Sequence, residues 1–253
     1  LHARASGTGT AEASSVWNST FKFVTDYQQS LKLQRDFDQQ MSGQQEDIQQ
    51  KGRLPPGQIL TPGWPVLHAG SVQHILKEAF SLRVHGEVEN ELNLSYDQLL
   101  LLKRTEQTCD IHCVTTWSKF DVKWEGVRFK DLMELAKPTE KAHYAVFECA
   151  QGFTTSLPLE PLYDGDVMVA FRAQGMDLAD EHGGPVRMLV PRRYFYKSAK
   201  WLKGINLVEQ DEPGFWEIRG YSNTADPWKQ ERYAGLSYVD IVKNRLKAYG
   251  RKK

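Results

Sequence analysis

A single thiol stands among β-branched residues in the segment Asp110-Ile111-His112-Cys113-Val114-Thr115-Thr116-Trp117-Ser118-Lys119. Read as a strand, the segment sends successive side chains to opposite faces, so His112 and Cys113 do not pair as base and nucleophile. A thiolate bound to a soft metal suits the site better, because a metal or a cation such as Lys119 lowers a cysteine's pKa. The bland alternative is a small buried hydrophobe. A second cluster, Glu181-His182-Gly183-Gly184-Pro185-Val186-Arg187, sets two glycines where backbone can approach a ligand, three residues before an arginine whose fork matches phosphate. Its alternative is a tight turn entering a strand. In a third, residues 191–201, Arg192, Arg193, Lys197 and Lys200 interleave with Tyr194, Phe195, Tyr196 and Trp201. That stripe reads as an anion pocket, a solvated face over buried rings, or a platform for single-stranded nucleic acid. The fourth, residues 220–228, is a turn-rich loop carrying Asn223 and Asp226. No GxSxG, HExxH or P-loop pattern offers a hydrolase or nucleotide site.

The elements that must position these residues are mostly short strands. β-like runs fall at 82–88, 110–117, 122–127, 143–150, 153–159, 167–173, 186–191 and 215–220. Ser95 and Gln98 have capping-box spacing ahead of a helix through Leu99 to Lys103, and 129–136 reads as a second helix. Helices that do not alternate regularly with strands predict an α+β domain with a mixed sheet. Residues 53–75 begin as a Pro- and Gly-rich stretch, too broken for a helix or central strand, and are expected to form an arm packed near the site. Before it, residues 1–52 are polar and Gln-rich, with one helix expected at about 25–41 after Thr25 and Gln28. After the domain, residues 236–253 read as a helix opened by Ser237 and Asp240, with a basic tail.

The 253 residues suffice for one large domain. Thirty-two basic and 32 acidic residues cancel, so no global field draws the chain to nucleic acid, and any anion site must be local. No apolar run reaches membrane-spanning length. Cys109, Cys113 and Cys149 form neither a disulfide framework nor a zinc pattern. Residues 1–15, rich in Ala, Ser, Gly and Thr, fit the start of a mature chain left by cleavage of an organellar presequence. An organelle matrix, mitochondrial or plastid, is therefore expected ahead of a bacterial cytoplasm.

Taken in order, LPPGQILTPGWPVLHAG, DIHCVTTWSK, FECAQGFTTSLPLE, EHGGPVRMLVPRRYFYKSAKW and PGFWEIRGYSNTADPWKQERY resemble the molybdopterin-binding domain of the sulfite oxidase family, across residues 53–235. The small single-domain oxidoreductases of that family are the nearest in pattern. The resemblance implies a mixed-sheet α+β fold that binds molybdenum through molybdopterin, a single pyranopterin, and one cysteine. By position Cys113 is that cysteine, Arg187 matches the cofactor-binding arginine, and Phe195, Tyr196 and Lys197 match the segment around the cofactor phosphate. His68 is implied as a pterin contact, and His182 and Cys149 stand where the related methionine sulfoxide reductases carry Asn and Thr. The implied activity is oxygen-atom transfer at sulfur, as sulfite oxidation or sulfoxide reduction. The chain is too short for the dimerisation domain of animal and plant sulfite oxidases and shows no haem-binding domain, so an external electron carrier or redox partner is expected. A rival reading is an accessory subunit of a larger assembly, such as an organellar respiratory complex, docked through the N-terminal extension.

Overall fold

The computed structural model describes residues 52–235. The helices expected near 25–41 and after Ser237 lie outside the described residues. Within them, two mixed sheets carry the fold and only two α-helices are present, as the irregular spacing of strand and helix patterns predicts.

One sheet is organised by its longest strand. β1 (Ile59–Leu60) lies parallel to the start of β5 (Trp117–Arg128), while β4 (Arg104–His112) runs antiparallel along the opposite edge of β5. β8 (Met168–Ala173) pairs with the end of β5 and carries β9 (Met176–Asp177) and β10 (Arg187–Leu189) on its far side. All but one residue of β8 is buried, which fits its nearly unbroken apolar sequence. Where β5 meets β8 the register shifts at Gly126, and a Cβ there would collide with the Val169 carbonyl.

The second sheet has the order β3 (Leu92–Ser95), β2 (Ser81–Gly86), β11 (Leu202–Val208), β6 (Tyr144–Cys149), β7 (Thr154–Pro158). Only the β2–β11 pair is parallel. In β2 the alternation is plain: Leu82 and Val84 face the core, Ser81 and Arg83 face solvent. β3 and β11 are absent from the sequence-based strand set. Gly204 interrupts the apolar pattern of β11 beside a bulge, where the Glu148 carboxylate lies over the space a Cβ would take.

Helix α1 (Tyr96–Leu101) starts as its sequence predicts. Gln98 N donates to Ser95 Oγ at 3.2 Å and Ser95 N donates to Gln98 Oε1 at 2.9 Å, a complete capping box. The helix stops at Leu101, two residues before Lys103, because Leu102 is already extended and leads into β4. Helix α2 (Phe129–Ala136) buries Phe129, Leu132, Met133 and Ala136, the i, i+3, i+4, i+7 face, and ends on left-handed Lys137. Residues 215–220 are not the expected strand. Glu217–Arg219 form a 3-10 turn closed by Gly220 at φ 92°, which turns Glu217 inward while Ile218 is exposed.

Most of the core fills the space around α2 and the second sheet. A smaller cluster of Ile111, Val122, Trp124, Met168, Leu189 and Phe195, with Trp64 and Trp117 against it, underlies the turn that carries Cys113. Replacing Ser95 with Ala should lower stability by about 1 kcal/mol, read as an earlier chemical denaturation midpoint at unchanged slope.

Candidate cofactor site

Cys113 is not strand-borne. β4 ends at His112, and Cys113–Thr116 form the turn into β5, closed by Thr116 N donating to Cys113 O at 3.0 Å and Cys113 N donating to Trp117 O at 2.8 Å. Thr116 takes φ 81° to make that turn, a conformation its β-branched type does not advertise. His112 is still a poor base for Cys113, since its ring is buried and Nδ1 lies 2.8 Å from Ser118 Oγ. The Cys113 thiol is 8% exposed and lies 3.1 Å from Thr115 Oγ1. Burial pushes its pKa up, and hydrogen bonding at Thr115 only partly opposes this. Left alone it stays a thiol at neutral pH; a soft metal would displace its proton.

The thiol forms part of the wall of a cavity of about 270 Å³. The arm supplies Trp64, Pro65, Leu67, His68 and Ala69 to the same wall, in keeping with the expectation for residues 53–75. Arg187, Phe195 and Tyr196 also line it, joined by Ser198, Ala199, Lys200 and Trp201 from the segment after them. Trp117, Phe153, Trp216 and Tyr221 complete an aromatic side. His68 Nδ1 lies 3.2 Å from Gly70 O, and the His68 ring meets Trp201 edge-on.

Three residues singled out in the sequence lie behind this wall. Cys149, at the end of β6, is packed in the main core, where burial holds its thiol protonated. His182 stacks on Trp64 with ring centroids 3.9 Å apart, and its buried Nδ1 has no hydrogen-bond partner. Lys197 is fully buried and donates to Glu217, to Ser156 O at 2.7 Å and to Asn223 Oδ1 at 3.1 Å. The cationic and aromatic stripe of 191–201 is therefore no continuous surface. Tyr194 and Lys197 are buried and Arg192 pairs with Asp164 and Asp166.

Arg187 is 1% exposed. Its guanidinium donates to the carbonyls of His182, Ser198 and Met188 and lies over the rings of Phe195 and Trp124. Burial pulls its pKa down to about 9, so it is a cation at neutral pH, and it forms no ion pair with a carboxylate among the described residues. Lys200, one of the four cations of the stripe but not among the residues the resemblance implies as cofactor contacts, donates to Leu67 O at 2.9 Å and to Glu181 O. Burial, then the Arg187 charge, pull it down to about 7, against an opposing pull from Glu181. The paired glycines make this closeness workable: a Cβ on Gly183, at φ 98°, would sit 2.7 Å from Lys200 Cβ, and one on Gly184 would strike the Leu178 carbonyl. They admit protein backbone and side chain rather than a ligand.

A family model described as the oxidoreductase molybdopterin binding domain matches residues 69–216. The chain is also 40% identical over 192 residues to the uncharacterized oxidoreductase YuiH of Bacillus subtilis, covering 76% of this chain and 97% of that one. The chain belongs to the molybdopterin-binding oxidoreductase family. A more distant member, the catalytic subunit MsrP of a protein-methionine-sulfoxide reductase from Campylobacter jejuni, is 28% identical over 162 residues, 57% of this chain and 54% of the relative. Among solved structures, the sulfane dehydrogenase SoxCD from Paracoccus pantotrophus matches with a TM-score of 0.53 at 25% identity, over 56% of this chain and 41% of that one. As a member of the family the protein is a molybdopterin-dependent oxidoreductase, and its cofactor is molybdenum carried by molybdopterin.

The residues present fit that group. A soft sulfur donor opens on the cavity, and two cations, Arg187 and Lys200, line it with no carboxylate ion-paired to either among the described residues. An anionic ligand would balance that charge. The donor set is wrong for a hard or borderline metal held by protein alone, since no group of three His, Cys, Asp or Glu gathers anywhere among the described residues.

The Lys200 shift has a sign that can be measured without cofactor. Because its folded pKa lies near 7 and its ordinary value is 10.5, the unfolded chain holds more protons between those limits, and folding stability gains with pH across that window. A Lys200→Met variant lacks this contribution. Its stability advantage over the parent should be widest below about pH 7 and shrink steadily toward pH 10.5 in chemical denaturation. A gap that stays constant across the window would contradict the half-buried placement of Lys200 beside Arg187.

Proposed function

We propose that this oxidoreductase transfers an oxygen atom at sulfur, oxidising sulfite or reducing a sulfoxide, with Cys113 as the protein ligand to molybdenum. The observation that carries the reading is the Cys113 thiol in the wall of a cavity it shares with Arg187 and Lys200. The sulfur chemistry is supported by the relatives: one is named for reducing methionine sulfoxide in proteins, and the solved neighbour for dehydrogenating sulfane sulfur. The two directions are the same transfer reversed.

When bound, the cofactor supplies a metal that changes oxidation state as oxygen is gained or lost. The remaining work falls to side chains of this chain. Cys113 would hold the metal as a thiolate, losing its proton on binding and donating through sulfur. Arg187 and Lys200 would hold anionic parts of the cofactor, whose charge would favour the protonated Lys200 ammonium. Trp117, Phe153, Trp216 and Tyr221 give the cavity an aromatic lining, and His68 with Trp64 line it from the arm. Electrons pass to or from a separate redox protein. Among the described residues no helix is long and apolar enough to cross a membrane, so nothing there tethers that exchange to a bilayer through a helical span.

The test is protein purified from cells able to make the cofactor. It should contain molybdenum and pterin in roughly equal amounts, one of each per chain, by elemental and fluorescence analysis. Cys113→Ser should keep its melting transition and lose on the order of a thousandfold in oxygen transfer, because a serine oxygen replaces the sulfur donor. Full activity in that variant, or parent protein devoid of both metal and pterin, would sink the proposal.

A further inference from the structure

We propose that Gln58 and Arg232 are positioning residues that aim the Cys113 side chain into the cavity, an inference that rests on Cys113 being the metal's protein ligand. Cys113 sits on a turn rather than in a ladder, so its direction is set by the two peptide planes that flank its Cα. The plane before it is fixed where Cys113 N donates to Trp117 O at 2.8 Å. The plane after it is fixed twice. Thr116 N donates to Cys113 O from within the turn, and Gln58 Nε2 donates to the same oxygen at 3.0 Å from the arm.

The next carbonyl is held from the other end of the chain. Arg232 Nη1 donates to Val114 O across 118 residues of sequence, and Arg232 Nη2 reaches Gly57 O at 3.4 Å. One guanidinium thus bridges the turn and the residue preceding Gln58, a geometry that needs the planar fork of arginine. Arg232 also lies over the ring of Tyr194, which is itself buried.

Gln58 is secured in turn. It is 1% exposed, and its Oε1 accepts from Ser118 Oγ at 3.4 Å, the same hydroxyl that meets His112 Nδ1. Directly after it, Ile59 N donates to Thr116 O at 2.7 Å and Thr61 N to Ser118 O at 2.8 Å. The buried polar set of Gln58, Ser118 and His112 therefore forms a backing behind the cysteine. Burial of such groups is costly unless they are satisfied, and here they satisfy one another while gripping the turn.

The experiment uses the cofactor-loaded enzyme. Gln58→Leu keeps similar bulk and removes the donor; Arg232→Lys keeps the charge and removes the fork. In either variant, backbone amides of residues 113–118 should exchange with deuterium about tenfold faster, the effect of one lost hydrogen bond, while residues 144–149 in the other sheet stay unchanged. Metal content should hold near the parent value, the sulfur-to-metal absorption should shift, and kcat should fall with KM unaltered. If Gln58→Leu does not fold, Arg232→Lys decides alone. Unchanged exchange at 113–118 overturns the proposal. Cys113→Ser serves as the control: a metal spectrum insensitive to that change overturns the ligand reading, and with it the role given to Gln58 and Arg232, even where exchange responds.

Discussion

The Arg187 guanidinium is a positive charge held inside the protein at 1% exposure, with no ion-paired carboxylate among the described residues. Burying such a charge costs several kcal/mol unless other groups replace water. Here three backbone carbonyls do so, from His182, Met188 and Ser198, together with the faces of Phe195 and Trp124. Those carbonyls belong to the loop before β10, to β10 itself and to the segment after it. Arg187 therefore adds side-chain bonds between three stretches that backbone bonds such as Met188 N to Ala199 O and Trp201 N to Gly183 O also join, and all three border the cavity wall. The small cluster of Trp124, Ile111 and Phe195 beneath it gives the rings their places.

Charge balance separates two lysines that sequence leaves equivalent. Lys197 has its counter-charge inside the protein, in Glu217, with Ser156 O and Asn223 completing its donors. Lys200, three residues on, donates to two carbonyls and lies over the Trp201 ring, and it forms no ion pair with a carboxylate among the described residues. The first is a brace under the wall and the second is part of the wall. A chain of zero net charge thereby carries a locally positive cavity, because one basic side chain is neutralised internally and its neighbour is not.

Much of this was legible in the sequence, and the misses share a cause. The capping box at Ser95 and the four-residue apolar face of α2 are local patterns, and both form in the structure. The order of motifs located Cys113, Arg187 and the arm, and all three meet at one cavity. Local pattern failed where a distant contact decides. Val114, Thr115 and Thr116 look like strand, yet Trp117 O and Gln58 impose a turn. Glu217 looks like the middle of a strand until the Lys197 charge draws it inward. Lys197 comes from the family resemblance, whereas Lys200 shows its place in the cavity wall only in the folded chain, since no spacing rule says which residue after the 3-10 turn faces it.

The placement of the cysteine on a turn also explains why the arm belongs to the site. A strand residue inherits its direction from ladder hydrogen bonds, whereas a turn residue has few and must borrow others. The arm is suited to lend them. Its prolines, Pro55, Pro56, Pro62 and Pro65, limit the conformations it must give up on docking and lack N–H groups that would need partners of their own. Its contacts come from residues at or beside the site: Thr116 and Ser118 on Ile59 and Thr61, Lys119 on Pro62 O, His182 against Trp64, Lys200 on Leu67 O. Lys200 thus answers to both the cavity charge and the arm. It lines the cavity and donates to Leu67 O, so the arm meets the charged wall at Leu67 as well as the cysteine turn at Gln58.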